Sequence, residues 1–395
     1  MHRAPFPGIM ARASTEQEDL MATDIYQRLA RHLDDLPSGF PATSTGVELR
    51  ILRRLFTPEE AELALHLILL EEEPRVIARR AGLPVDECAP RLEEMAHKGL
   101  IYRTQAEGKP ARYMAIQFAI GIWEFQVNRL DHGLVHDFDE YLPDYAPFEV
   151  WKKAPQLRTI PVGESVNAEL AILPYERAEE VVRRHRRLAV APCICRREQR
   201  MVGHGCDKPL ATCLVFGGAA DFYLHNGLAR AIDQKEALDI LKLADESGLV
   251  LQPGNSKAAS NICTCCGCCC GVLRTLKRHP APASLVSSPF VAAADPATCQ
   301  GCGTCLDRCQ MDALRLEDDR VVLNADRCIG CGLCVSTCPS GALRLARKPE
   351  TAQPYVPQGG VESAIRLGRS RGKMTVADMV GMVVRSKVDR LLAPR

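Results

Sequence analysis

Nineteen cysteines stand in this 395-residue chain, and eighteen of them fall between Cys193 and Cys338; only Cys88 stands apart. Such crowding constrains folding more than any apolar pattern, because each thiol must be paired, metal-bound or buried. A secreted disulfide scaffold is normally short and spreads its cysteines throughout. Here the opening MHRAPFPGIMARASTEQEDL has no apolar core fit for an export signal. No run of about 18 apolar residues offers a membrane span either. The expected setting is therefore cytoplasmic, and the expected chemistry is metal binding. A formal net charge of +1 exerts no general pull on nucleic acid or an anionic membrane, while 46% hydrophobic and 25% charged residues suit a folded chain.

The spacing is most regular near the C-terminal end. Cys299-x2-Cys302-x2-Cys305-x3-Cys309 is followed by Cys328-x2-Cys331-x2-Cys334-x3-Cys338-Pro339. Three thiolates two residues apart can wrap one cubane, and the fourth is directed away from it. Aligning 299–316 with 328–345 matches ten of eighteen positions, among them Gly301/Gly330, Gly303/Gly332 and the Ala-Leu-Arg-Leu that follows each run. Glycine lets the backbone approach inorganic sulfide without a side chain in the way. Zinc sites use four ligands in two pairs, which two matched runs of four do not resemble.

The pattern resembles the bacterial two-[4Fe–4S] ferredoxins. That resemblance implies one cluster on Cys299, Cys302, Cys305 and Cys338 and a second on Cys328, Cys331, Cys334 and Cys309. It also implies two βαβ-like halves, with strands at Leu314–Leu316 and Leu343–Leu345. Gln310 departs from the family, which usually has proline there, and is expected to loosen the turn near the second cluster.

Ten cysteines lie upstream: Cys193, Cys195, Cys206, Cys213, Cys263, Cys265, Cys266, Cys268, Cys269 and Cys270. Thiolate-only sets select Fe–S clusters, zinc or copper(I). Consecutive cysteines cannot all reach one metal, so the run 263–270 should face two directions. Cys193, Cys195, Cys206 and Cys213 are expected to join part of that run in at least one further cluster; zinc and free redox-active thiols are the alternatives. Arg196, Arg197 and Lys208 would offset thiolate charge. Cys265-Cys266-Gly267 is similar, over three residues, to the CCG motif of heterodisulfide-reductase-type subunits. Together with the terminal ferredoxin motif, the chain resembles the 4Fe–4S binding proteins of anaerobic bacteria, which implies electron transfer without naming a reaction.

The expected fold class is α+β and multidomain. A leader and short helix occupy 1–45, a winged-helix-like domain 46–116, a cysteine-rich middle domain 117–290, the ferredoxin domain 291–347, and a linker with a final helix 348–395. Thr57-Pro58-Glu59-Glu60 opens a helix through Leu63, Leu65, Leu67, Ile68 and Leu70. Helices at Arg75–Ala81 and Val85–Lys98 follow, with Pro90 marking a possible later start of the second, and then a hairpin of 100–103 and 112–116. This order resembles a winged helix. Asp86, Glu87, Glu93 and Glu94 on its second helix would repel phosphate, so packing or protein contact is preferred to DNA binding. Helices are expected over 24–33, 174–188 and 233–246, and at 376–392 with Met379, Val380, Val383 and Val384 packed inward. Residues 347–373 read as a linker, and Cys88 as a small core residue.

No G-x-G-x-x-G or Walker-type loop supports nucleotide binding. The favoured function is one-electron transfer between redox partner proteins. The rival readings are a reductase subunit with a substrate-binding cluster within 193–270, and a redox-sensing winged-helix regulator.

Overall fold

The computed structural model describes residues 25–145, 148–166 and 170–394; the expected leader, 1–20, lies outside them. The chain is a mixed helix-and-sheet structure. It opens with a helix over 25–34, followed by helices Val47–Leu55, Pro58–Ala64, Pro74–Ala81 and Val85–His97 and a hairpin of β1 (Tyr102–Thr104) and β2 (Arg112–Met114). The Thr57 capping box forms as expected: its hydroxyl accepts from Glu60 N–H and the Glu60 carboxylate accepts from Thr57 N–H. The helix ends at Ala64, short of the expected Leu70. The backbone beyond it serves the hairpin instead, with Ile68 C=O accepting from Ala115 and Glu72 exchanging hydrogen bonds with Tyr113. Pro90 lies inside Val85–His97 and does not start it.

A five-stranded antiparallel sheet forms the middle of the molecule. Its strands are β3 (Leu188–Pro192), β4 (Ala211–Phe216), β5 (Arg230–Ile232), β6 (Val250–Pro253) and β7 (Asn261–Cys265), in the order β5-β3-β4-β7-β6. Alternation along the strands feeds two cores. Ala189, Ala191 and Val215 pack with the N-terminal helices, whereas Leu188, Val190, Leu214 and Phe216 pack with helix Gln234–Glu246. The expected helix 174–188 is broken. Pro174–Glu176 is one 3-10 turn, Arg177 is extended, the helix runs only over Ala178–Arg183, and Leu188 is claimed by the sheet opposite Phe216 and Ile232.

The C-terminal region pairs β8 (Phe290–Ala294) with β11 (Leu343–Arg347), and β9 (Leu314–Glu317) with β10 (Arg320–Leu323). Met311, Ile329 and Leu333 join the core that Leu188, Val190, Leu214 and Phe216 form, so this region is packed onto the five-stranded sheet. The expected linker 347–373 contains a helix, Gly360–Ser370. The final helix, Val376–Leu392, forms but turns the opposite face inward: Ser386 and Asp389 are buried while Val380, Val383 and Val384 are exposed. A charged network decides this orientation. Asp389 pairs with Arg79 and Arg80, Arg80 also pairs with buried Glu72, and the Ser386 hydroxyl donates to Glu72. No helix of the described residues is long and apolar enough to cross a membrane.

Candidate metal centres

The two cysteine runs near the C-terminus curl around two cavities. One is lined by Cys299, Cys302, Cys305 and Cys338, the other by Cys328, Cys331, Cys334 and Cys309. The fourth cysteine of each run thus crosses to the other cavity. Left-handed turns at Gly301, Gly303, Gly330 and Gly332, with φ of 71°, 77°, 70° and 78°, fold the first three thiols inward. The short helices Thr304–Arg308 and Leu333–Ser336 then carry the chain to the fourth. Backbone N–H groups of Gly301, Ala292 and Ala313 point at the sulfurs of Cys299, Cys328 and Cys309, at 3.5, 3.3 and 3.2 Å. Donors aimed at sulfur favour thiolate, the form a cluster requires, so these residues fit 4Fe–4S groups.

The two cavities differ in setting. Cys302 is exposed, and the Thr304 hydroxyl holds its thiol below the usual range. Burial pushes Cys331 up to about 12 and raises Cys334 as well. A Cβ on Gly332 would stand 2.1 Å from Ser165 Oγ, whereas one on Gly303 would meet nothing within 4 Å. The second loop is thus pressed against the segment Val162–Ser165, where Val162 N–H also donates to Cys331 C=O.

The ten upstream cysteines fall into two sets. Six form a chain of neighbouring thiols in the order Cys193, Cys195, Cys270, Cys265, Cys263, Cys213. Local structure explains their meeting. Cys193 and Cys270 immediately precede, as N-cap residues, the helices Ile194–Met201 and Gly271–Arg278, and antiparallel pairing of Leu214 with Ile262 brings Cys213 beside Cys263 on adjacent strands. Contacts with neighbouring thiols hold Cys193, Cys270 and Cys263 below the usual thiol range and push Cys195, Cys265 and Cys213 above it. For Cys270 the N–H groups of Leu273 and Val272 add to the lowering. The other four, Cys206, Cys266, Cys268 and Cys269, have all four sulfurs within 4.8 Å of one another. The dense run therefore faces two directions, as expected. Cys206, however, parts from Cys193, Cys195 and Cys213.

Arg196 is fully buried between the two sets. Its guanidinium donates to Thr264 C=O at 2.7 Å and to the Thr212 hydroxyl. Burial alone would lower its pKa, but the sulfurs of Cys193, Cys266 and Cys265 raise it. Arg197 and Lys208 make their hydrogen bonds to other groups. Arg197 donates to Val127 C=O and Asn128, and Lys208 to Ser247 C=O.

Two acids near the array were not singled out from the sequence. Glu124 accepts from Gly121 N–H at 2.7 Å, and burial pushes its carboxyl up to about 8. Glu198 is buried and neither of its carboxyl oxygens has a hydrogen-bond partner among the described residues. A signal for Glu198 was present, since it follows Cys195 by three residues on one helix. An apolar cavity lined by Trp123, Glu124, Phe138 and Tyr145 reaches Cys195. Cys88 is buried in the N-terminal core, where burial pushes its thiol up to about 11.

Comparison with known proteins bears on one part of the chain. Residues 298–342 match the model of the 4Fe-4S dicluster domain. The comparison with curated proteins and that with solved structures each gave no match. The C-terminal region is accordingly an iron–sulfur, ferredoxin-like domain that binds 4Fe–4S clusters.

Proposed function

We propose that the chain is an electron-transfer protein that relays single electrons through two 4Fe–4S clusters at Cys299–Cys338, with a further cluster on the array Cys193, Cys195, Cys213, Cys263, Cys265 and Cys270. The carrying observation is the pair of cavities, each lined by three cysteines of one run and the fourth of the other. Bound there, such clusters take up and release one electron at a time.

The chain's own residues rank the sites. The cavity at Cys328, Cys331 and Cys334 is sunk against the middle domain. The one at Cys302 opens to solvent and is the exchange point with a redox partner. Burial penalises added negative charge, so the inner site has the lower potential. The upstream array suits several metal atoms better than one, because its six thiols are strung out in a line and no three of them lie mutually within 4.8 Å among the described residues.

On this reading residues 46–116 are a winged-helix-like unit used for packing. Two acids of its second helix are answered within the chain: Glu93 binds Arg103, Tyr113 and His225, and Lys98 binds Glu94 as well as Glu60. The expected compartment is a reducing cytoplasm, where exposed thiolates persist. Cys302→Ser and Cys331→Ser test the relay. Each is expected to lose one cluster and to stop electron transfer to an artificial acceptor; full transfer by either variant refutes the reading.

A further inference from the structure

Cys206 and the segment Cys266–Cys269 form a site of a different kind from the other three. Three sulfur pairs are fixed: Cys206 to Cys266 at 3.9 Å, Cys206 to Cys269 at 3.6 Å and Cys268 to Cys269 at 3.7 Å. All four sulfurs lie within 4.8 Å of one another. A tetrahedral ion with metal–sulfur bonds of about 2.3 Å sets its ligands about 3.8 Å apart. A cubane instead holds its thiolates on outlying corners, much farther from one another. The dicluster cysteines supply the comparison within the same molecule. They act on one another through charge, and no three of them close to 4.8 Å among the described residues.

We propose that Cys206, Cys266, Cys268 and Cys269 hold a single tetrahedral metal ion of the soft divalent class, zinc or iron, separate from every iron–sulfur cluster of the chain. Four thiolates around a divalent ion leave a net negative charge, and buried Arg196 stands against Cys266 to offset it. Its Nε has no hydrogen-bond partner among the described residues. The site also accounts for Gln310. Gly267 N–H donates to Gln310 Oε1 at 2.7 Å, and a Cβ on Gly267 would come within 2.6 Å of Gln310 C=O. Proline at 310 could not accept that hydrogen bond. The four-thiol turn is therefore clamped to the residue next to Cys309, and the ion fixes the turn on which the dicluster domain rests. This inference goes beyond the relay, since a structural ion carries no electrons if it is zinc.

The test compares total metal with acid-labile sulfide in anaerobically purified full-length protein. 4Fe–4S clusters contain one sulfide per iron, so clusters alone give equal amounts. One extra equivalent of zinc or iron per chain supports the proposal, and equality overturns it. The Cys206→Ser/Cys268→Ser variant should then lose that one metal and keep its sulfide. Unchanged metal, or loss of iron and sulfide together, overturns the assignment. Should the variant fail to fold by circular dichroism, the metal-to-sulfide difference in the unaltered chain decides alone. Failure of the relay would show instead in Cys302→Ser, with this difference intact.

Discussion

Arg308 precedes Cys309 and ties the dicluster domain to the helix Gln234–Glu246. Its guanidinium donates to Asp245 C=O at 2.6 Å, to Asp245 Oδ1 at 2.9 Å and to Glu246 C=O at 2.9 Å, and the Ser336 hydroxyl donates to the same Oδ1 at 2.8 Å. The two side chains are 15% and 8% exposed. Burial, with the Glu164 carboxylate, raises the Asp245 carboxyl pKa by more than Ser336 and Arg308 lower it, so pairing does not fully offset the cost of the site. Removing one partner of such a pair costs about 3–5 kcal/mol, because the other charge is left buried alone. Partial exposure of Arg308 places Arg308→Ala near the lower end, about 3 kcal/mol, which is about a hundredfold in a local opening equilibrium. Hydrogen exchange at the Gly248 and Leu249 amides, bonded to Asp245 C=O and Ala244 C=O, reads that opening. The single variant should exchange about a hundred times faster there, while Arg308→Leu/Asp245→Leu should return to within about tenfold of the parent. A single variant indistinguishable from the parent, or a double variant as fast as the single, would refute the reasoning.

The repeated glycines give a matched comparison. Gly303→Ala meets open space and should cost only the left-handed backbone penalty, about 1–2 kcal/mol, whereas Gly332→Ala adds overlap with Ser165 and should cost about 2–5 kcal/mol; thermal midpoints in that order are expected. Asp137 should make one contact acid-sensitive. Burial raises its carboxyl pKa, but hydrogen bonds from Arg54 and Arg50 more than offset this and hold it below the ordinary value. Its contribution is therefore present above the unfolded pKa and lost as pH falls through the folded one, below about 4. With both arginines largely exposed, the loss is about 1 kcal/mol, and Asp137→Asn should abolish that part of the acid dependence in a denaturation series.

The most legible parts were those governed by local rules. The Thr57 capping box and the helices Gln234–Glu246 and Val376–Leu392 all follow from residues a few positions apart. The paired cysteine runs were legible from their spacing and repeat, and the crossing of the fourth thiol is what the resemblance to two-cluster ferredoxins implied. Long-range competition hid the rest. The helix after Thr57 stops early because the hairpin takes its backbone partners, and the valine face of the last helix is exposed because Arg79, Arg80 and Glu72 bind its polar side. Which upstream thiol meets which depends on strand register and on a 60-residue separation between Cys206 and Cys266, neither of which spacing reveals. Of the three cations expected to offset thiolate charge, Arg196 is the one buried beside the sulfurs, while Arg197 and Lys208 hydrogen-bond to other groups.

Iron and acid-labile sulfide per chain, measured on anaerobically purified protein beside its low-temperature EPR spectrum, test the cluster relay most directly. Two clusters at 299–338 and one on the six-thiol array require about twelve of each, with three distinguishable signals on stepwise reduction. About eight of each would remove the upstream cluster from the relay, and fewer than about eight, or sulfide near zero, would contradict the dicluster relay itself.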